Sequence, residues 1–207
     1  PMSLQQMLSI ANKLPQVVLK VSSYAKGVSR VGATLKYIGR DSELPLENEE
    51  GDILTQWEEV EDTLSQWQHD FGERSNSRDS MHLILSTPTN SDRIATQRAV
   101  RDFCAETFSD NHSYLFAMHD DTNNPHGHVV VKMRGFDGTK LDPRKNDLKR
   151  WREQFAEKCV THGIDVDASP RLARGVGSKG DRLSVIKMAA RGVEPLAKLD
   201  LINKVRD

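Results

Sequence analysis

The chain has 207 residues, enough for a substantial hydrophobic core, and a formal net charge of −1 that says nothing by itself about nucleic acid. Cys104 and Cys159 stand alone inside helical patterns, which excludes a disulfide scaffold and a cysteine-based zinc or redox motif. No signal peptide or long apolar run is present, so a soluble, cytoplasmic protein is expected. Leu4, Met7, Leu8, Ala11 and Leu14 have helical spacing, and Gln16 to Ser22 reads as a strand. Val28 to Gly39 reads as a helix carrying Val31, Leu35 and Ile38, and Leu54 to Phe71 as a longer amphipathic helix. Met81 to Thr87 is a strand closed by Pro88, and Ser91 to Phe108 a helix. Two apolar strands follow, Ser113 to His119 and Pro125 to Arg134. Asp137-Gly138 marks a turn with a short return strand at Lys140-Leu141. Leu148, Trp151, Phe155 and Cys159 make another helix, ended by Gly163. Past Asp165 the chain reads as a basic loop and a C-terminal extension with one weak helical stretch. Strands alternating with helices and containing hairpins predict an α+β fold: a central antiparallel sheet flanked by helices.

Charge is unevenly spread. Residues 1–131 hold 11 Lys+Arg against 19 Asp+Glu, and residues 132–207 hold 18 against 11. The basic surplus therefore follows the second apolar strand, and the run from Asp41 to Glu73, which has no Lys or Arg, reads as a solvated acidic face. Pro1 before Met2 reads as a tag-cleavage scar, and the chain is expected to be the N-terminal part of a longer protein.

The most informative stretch is His126-Gly127-His128, followed by Val129, Val130 and Val131. In a strand, residues i and i+2 share a face, so both imidazoles point the same way. His119 ends the preceding strand, and a six-residue hairpin-type loop, Asp120 to Pro125, separates it from His126. If the two strands pair, three imidazoles meet, and three neutral imidazoles suit a divalent ion with positions left open for a substrate. The competing reading is a pair of polar residues on a solvated strand face. Such an ion polarises a phosphoryl oxygen and needs a nucleophile. Of three tyrosines, Tyr37 lies between Lys36 and Arg40, basic residues that suit an approaching phosphate. A Tyr between apolar neighbours also fits a core position, and Tyr24 and Tyr114 read that way too.

The run from His119 to Val131 resembles the third motif of the conjugative relaxases, mobilisation nucleases of the MobP class in the HUH endonuclease superfamily. Leu35 to Arg40 resembles their tyrosine motif, and His82 to Ser86 their second motif, a strand ending in Ser. His162-Gly163-Ile164, Asp167-Ala168-Ser169 and Arg171 to Gly175 resemble the segment beyond the third motif. Asn123 and Asn124 stand where relatives often have Asp or His, and the acidic insert after Arg40 is a variable segment that does not map onto the family's motifs.

The resemblance implies a single relaxase domain over residues 1–207, with 165–207 as basic loop and extension. It implies a sheet with the metal on one face and helices on the other. It implies nicking of one strand at an origin of transfer, a 5′-phosphotyrosyl link, rejoining, and initiation of conjugative transfer. Tyr37 would be the nucleophile and His119, His126 and His128 the metal ligands. Asp121 would orient a ligand histidine or accept the tyrosyl proton. Lys36, Arg40, His82, Ser86, Arg171, Arg174 and Lys179 would lie on the DNA. The implied cofactor is Mg²⁺ or Mn²⁺: imidazole ligands favour Mn²⁺, whereas Mg²⁺ is the commoner partner of phosphates. The implied partners are single-stranded DNA at the origin, accessory relaxosome proteins and a type IV secretion coupling protein. A rolling-circle replication initiator or transposase of the HUH group would carry the same metal and tyrosine, but usually with the tyrosine downstream of the histidines. A non-catalytic single-stranded DNA-binding module would not need the triad.

Overall fold

A computed structural model describes residues 14–74 and 76–168, all within one structural unit, Lys13–Ala168. The elements in chain order are β1 (Val18–Ala25), α1 (Gly27–Ile38), β2 (Leu46–Asn48), β3 (Ile53–Leu54), α2 (Trp57–Gln68), β4 (Ser80–Ser86), α3 (Arg93–Phe108), β5 (Tyr114–His119), β6 (His126–Lys132) and α4 (Lys145–Thr161). The six strands form one sheet in the order β1-β4-β6-β5-β2-β3, with every neighbouring pair antiparallel. The α+β architecture read from the sequence is the one observed. The return strand is a single bridge, Arg134 to Lys140. The helix expected over Leu4 to Leu14, apart from Leu14 itself, and the last weak helix lie outside the described residues. No helix among the described residues is long and apolar enough to cross a membrane.

Strand alternation splits the core in two. On one face Met81, Leu83, Leu85, Tyr114, Phe116, Val129 and Val131 pack against α3 and α4 through Val100, Phe103, Cys104, Phe108, Trp151, Phe155 and Cys159. Each of the buried phenylalanines contributes about 1.5–3 kcal/mol through apolar surface removed from water. Cys104 and Cys159 are free thiols inside this layer, as expected, and burial pushes the Cys159 thiol up to about 12. On the other face Leu115, Ala117 and Val130 meet Val31, Leu35 and Ile38 of α1 and Val60, Leu64 and Trp67 of α2.

Helices therefore cover both faces, which differs from the one-sided arrangement the resemblance implied. α1 covers part of the histidine-bearing face, and the rest of that cover comes from the acidic insert. It is only partly a solvated face: it builds β2, β3 and α2, extends the sheet beyond β5, and lays α2 beside α1. Its Glu47 is buried in a bidentate pair with Arg101, and Glu49 accepts hydrogen bonds from Ser113 Oγ and the Tyr114 amide. The α2 N-terminus is closed by Glu59, whose carboxylate accepts from the amides of Thr55 and Gln56 at 2.8 and 3.0 Å.

Candidate metal and nucleophile site

β5 and β6 are a hairpin in which His119 stands directly opposite His126, and His128 lies opposite Ala117. Leu115, Ala117, His126, His128 and Val130 share the face that carries α1. Toward one end of that face the residues are apolar and covered by helix; toward the other the three histidines take over. The ring centroids of His119 and His128 are 4.2 Å apart, those of His119 and His126 5.5 Å, and those of His126 and His128 5.1 Å. Each residue offers one ligand atom, all within 4.8 Å of one another. Gly127, between the two β6 histidines, faces the other way: a Cβ there would meet both Val100 methyls at 3.0 Å. The close approach of α3 explains the glycine in His-Gly-His.

Each imidazole has one nitrogen engaged outside the triad. His119 Nε2 donates to the Ile38 carbonyl at 2.7 Å, and His126 Nδ1 donates to the Asn124 carbonyl at 2.9 Å. His128 Nδ1 lies 2.8 Å from His82 Nε2. Such outer bonds fix tautomer and ring orientation and leave the opposite nitrogen for an ion. His119 and His128 are 5% and 4% exposed, and His126 is half-buried. Burial, then the neighbouring His119, His82 and His126, hold His128 down at about 3. Burial, then His119 and Lys20, hold His82 at about 4. Burial, Arg40 and His126 also lower His119, against the opposing bond to Ile38. Burial thus favours the neutral form of His82, His119 and His128, the form in which imidazole ligates a cation, and the three-imidazole donor set fits a divalent ion.

The same shifts predict acid sensitivity. Unfolded imidazoles titrate near 6.5, whereas folded His82 and His128 stay neutral down to about 4 and about 3. Between pH 6.5 and these values the unfolded chain binds the additional protons, so stability is fully present above 6.5 and falls as pH drops. Urea unfolding without added metal is expected to show a loss on the order of 2 kcal/mol per imidazole between pH 7 and pH 5. An unchanged midpoint would contradict the burial assigned to the two rings.

Tyr37, in the last turn of α1, is 63% exposed and sets its ring edge-on to His128 at 5.8 Å and to His82 at 6.4 Å. The other two tyrosines lie elsewhere. Tyr114 is buried among aromatic rings of the opposite face. Tyr24 pairs with Met81 on the face away from the histidines and lies under the Arg78 guanidinium. α1 reaches the triad because Val31, Leu35 and Ile38 bury one stripe, which leaves Tyr37 at its margin. The chain then makes three consecutive left-handed residues, Arg40, Asp41 and Ser42 (φ 48, 52 and 73). None is glycine, so each carries backbone strain that the surrounding contacts must offset. One such contact is the Arg40–Asp121 ion pair at 2.6 Å, which joins the end of α1 to the histidine hairpin.

The remaining expected site residues are placed as follows. Asp121 is bonded to Arg40, while the histidines' outer partners are Ile38, Asn124 and His82. Lys36 holds its ammonium over the Trp57 ring at 4.6 Å, toward α2. Ser86 stands opposite His126 on the neighbouring strand. His82, on the same strand and face, is 5% exposed and packed against His128. Arg171, Arg174 and Lys179 lie outside the described residues. Sequence reasoning missed two participants. The Ile38 carbonyl carries no sequence signal. Lys20 had one: strand alternation puts it, opposite Ile84, on the His82 face.

A tyrosine beside a histidine triad on an antiparallel sheet places a hydroxyl next to side chains that could hold a metal ion, and comparison with known proteins identifies the class. Residues 39–164 match the family model of the relaxases, described as "MobA/VirD2-like, nuclease domain", and the chain belongs to this family. It is 28% identical over 186 residues to the T-DNA border endonuclease VirD2 of Rhizobium radiobacter, covering 79% of this chain and 44% of that protein. It is 26% identical over 160 residues to the 43 kDa relaxation protein of Salmonella typhimurium, covering 74% and 40% respectively. The chain thus spans less than half the length of these curated relatives. A solved structure described as "Molecular Basis of Vancomycin Resistance Transfer in Staphylococcus aureus" shares the fold, with a TM-score of 0.52 at 14% identity, over 75% of this chain and 98% of that one.

Proposed function

We propose that this chain is a DNA relaxase domain that nicks one strand at an origin of transfer and retains the cut strand on Tyr37. The single observation that carries this reading is the approach of the exposed Tyr37 ring to within 5.8 Å of His128 in the histidine triad. His119, His126 and His128 would hold a Mg²⁺ or Mn²⁺ ion, whose charge would polarise the scissile phosphate. The Tyr37 oxygen attacks phosphorus, a tyrosyl O–P bond forms, and the P–O3′ bond breaks. The tyrosyl proton leaves and the released 3′ oxygen gains one, so a 3′-hydroxyl and a 5′-phosphotyrosyl strand result. The bond energy is conserved, and the reverse attack by a 3′-hydroxyl rejoins the strand.

Arg40 stands at the end of α1 beside the hairpin, where its second role would be to meet a phosphate; Ser86 and Lys36 would border the strand's path. Asp121 reaches the site through Arg40 and would tune both that guanidinium and the tyrosyl proton's departure. Accessory relaxosome proteins and a coupling protein are the partners this activity would require in transfer. Incubation with a single-stranded oligonucleotide carrying the origin and Mn²⁺ is expected to give an SDS-stable protein–DNA adduct. Absence of any adduct on cleavable origin DNA would overturn the reading.

The basic segment beyond the described residues is expected to supply phosphate contacts. An Arg171→Ala, Arg174→Ala, Lys179→Ala variant should bind single-stranded DNA less tightly. Its log–log salt slope should be shallower by about 2, roughly 0.7 for each lost contact. Metal affinity should be unchanged. Equal affinity and slope in fluorescence-anisotropy titrations would remove this segment from the DNA path.

A further inference from the structure

Ile38 and Asn124 bond His119 and His126 through carbonyl oxygens, which only accept. In its neutral form His119 must therefore carry its proton on Nε2 and His126 on Nδ1, which leaves the lone pair on the opposite nitrogen of each. His128 differs, because its partner is another imidazole: its Nδ1 lies 2.8 Å from His82 Nε2. One proton occupies that line, and either ring can supply it. If His82 supplied it, neutral His128 would carry its own proton on Nε2 and have no lone pair left for a cation. If His128 supplies it, Nε2 of His128 is free to ligate and His82 keeps its proton on Nδ1.

We propose that His82 is a positioning residue that acts through His128: its Nε2 accepts the His128 Nδ1–H and so holds the His128 Nε2 lone pair toward a divalent cation. The inference rests on the reading of the triad as a metal site. It is independent of DNA contact, since His82 is 5% exposed. The two rings are nearly parallel, with centroids 5.0 Å apart and 30° between planes, and the edge of Tyr37 rests against both. β4 delivers His82 to this place because it pairs with Val130 across the β4–β6 ladder, beside His128 and on the same face. Carboxylates, backbone carbonyls and water are the common outer partners of ligating histidines. A neutral imidazole in that position adds no negative charge, so the ion's full charge stays available to a phosphate.

The test measures Mn²⁺ affinity by calorimetry on the metal-free protein, without DNA. His82→Leu, which fills the space and cannot accept, should weaken Mn²⁺ binding by about 10–100-fold. His82→Gln, whose Oε1 can accept the same bond, should recover most of that loss. In the Zn²⁺-loaded wild-type protein, long-range ¹H–¹⁵N spectra should show His128 protonated on Nδ1 and His82 on Nδ1. Should the Leu variant not fold, the Gln variant and these spectra carry the test. Wild-type binding with equal affinity in folded His82→Leu, a fully weakened His82→Gln, or His128 protonated on Nε2 would each overturn the role of His82 alone. A wild-type protein that binds neither Mn²⁺ nor Zn²⁺ would overturn the metal reading beneath it.

Discussion

Tyr37→Phe is expected to leave affinity for single-stranded DNA unchanged and to reduce the SDS-stable adduct and nicking by at least about 10³-fold, because only the hydroxyl proposed to attack is lost. The ring is 63% exposed and caps the histidines without filling the core, so the fold has no reason to respond. The variant also separates the three tyrosines. Tyr114 is buried and its phenol is pushed well up, first by burial and then by Cys104, Glu49 and Glu47. Tyr24 is on the sheet face away from the histidines. A residual adduct in Tyr37→Phe, with a DNA-linked peptide containing Tyr24 by mass spectrometry, would refute the assignment.

The second large effect concerns the ion. A His126→Ala, His128→Ala double variant removes two of the three proposed ligands and is expected to lose Mn²⁺ affinity by at least about 100-fold, together with nicking. Chelation of the wild-type protein should abolish nicking in the same way and be reversed by added Mn²⁺. The double variant also deletes a buried imidazole and strands His82 Nε2 without its partner, so its unfolding should be followed alongside. His126→Ala by itself is the cleaner probe, because His126 is half-buried and its outer bond is to the nearby Asn124 carbonyl. Unaltered Mn²⁺ binding in the folded double variant would remove the triad as the metal site.

The histidine hairpin was legible because its signals are local. A period of two puts His126 and His128 on one face, and a six-residue loop returns His119 beside them. The helices α1, α3 and α4 were legible from apolar spacing alone, since each buries a stripe. The acidic insert was not. β2 and β3 are three and two residues long, too short for periodicity, and exist because β5 offers an open edge. The helix read from Leu54 begins at Trp57, because Leu54 is spent on β3.

His82 marks the same boundary within the site. Alternation along β4 puts it on a face with Ser86, but nothing in a strand's own sequence says which strand becomes its neighbour. By itself the sequence determined which residue types are present to do chemistry, and which of them share a strand face or a hairpin. Those relations follow from backbone periodicity over a few residues. Only the tertiary structure decided that β4 lies against β6, that α1 ends over the triad with its Ile38 carbonyl on His119, and that Tyr37 alone of the tyrosines reaches the histidines. Those relations join residues 40 to 91 positions apart, and they are set by which buried faces pack together.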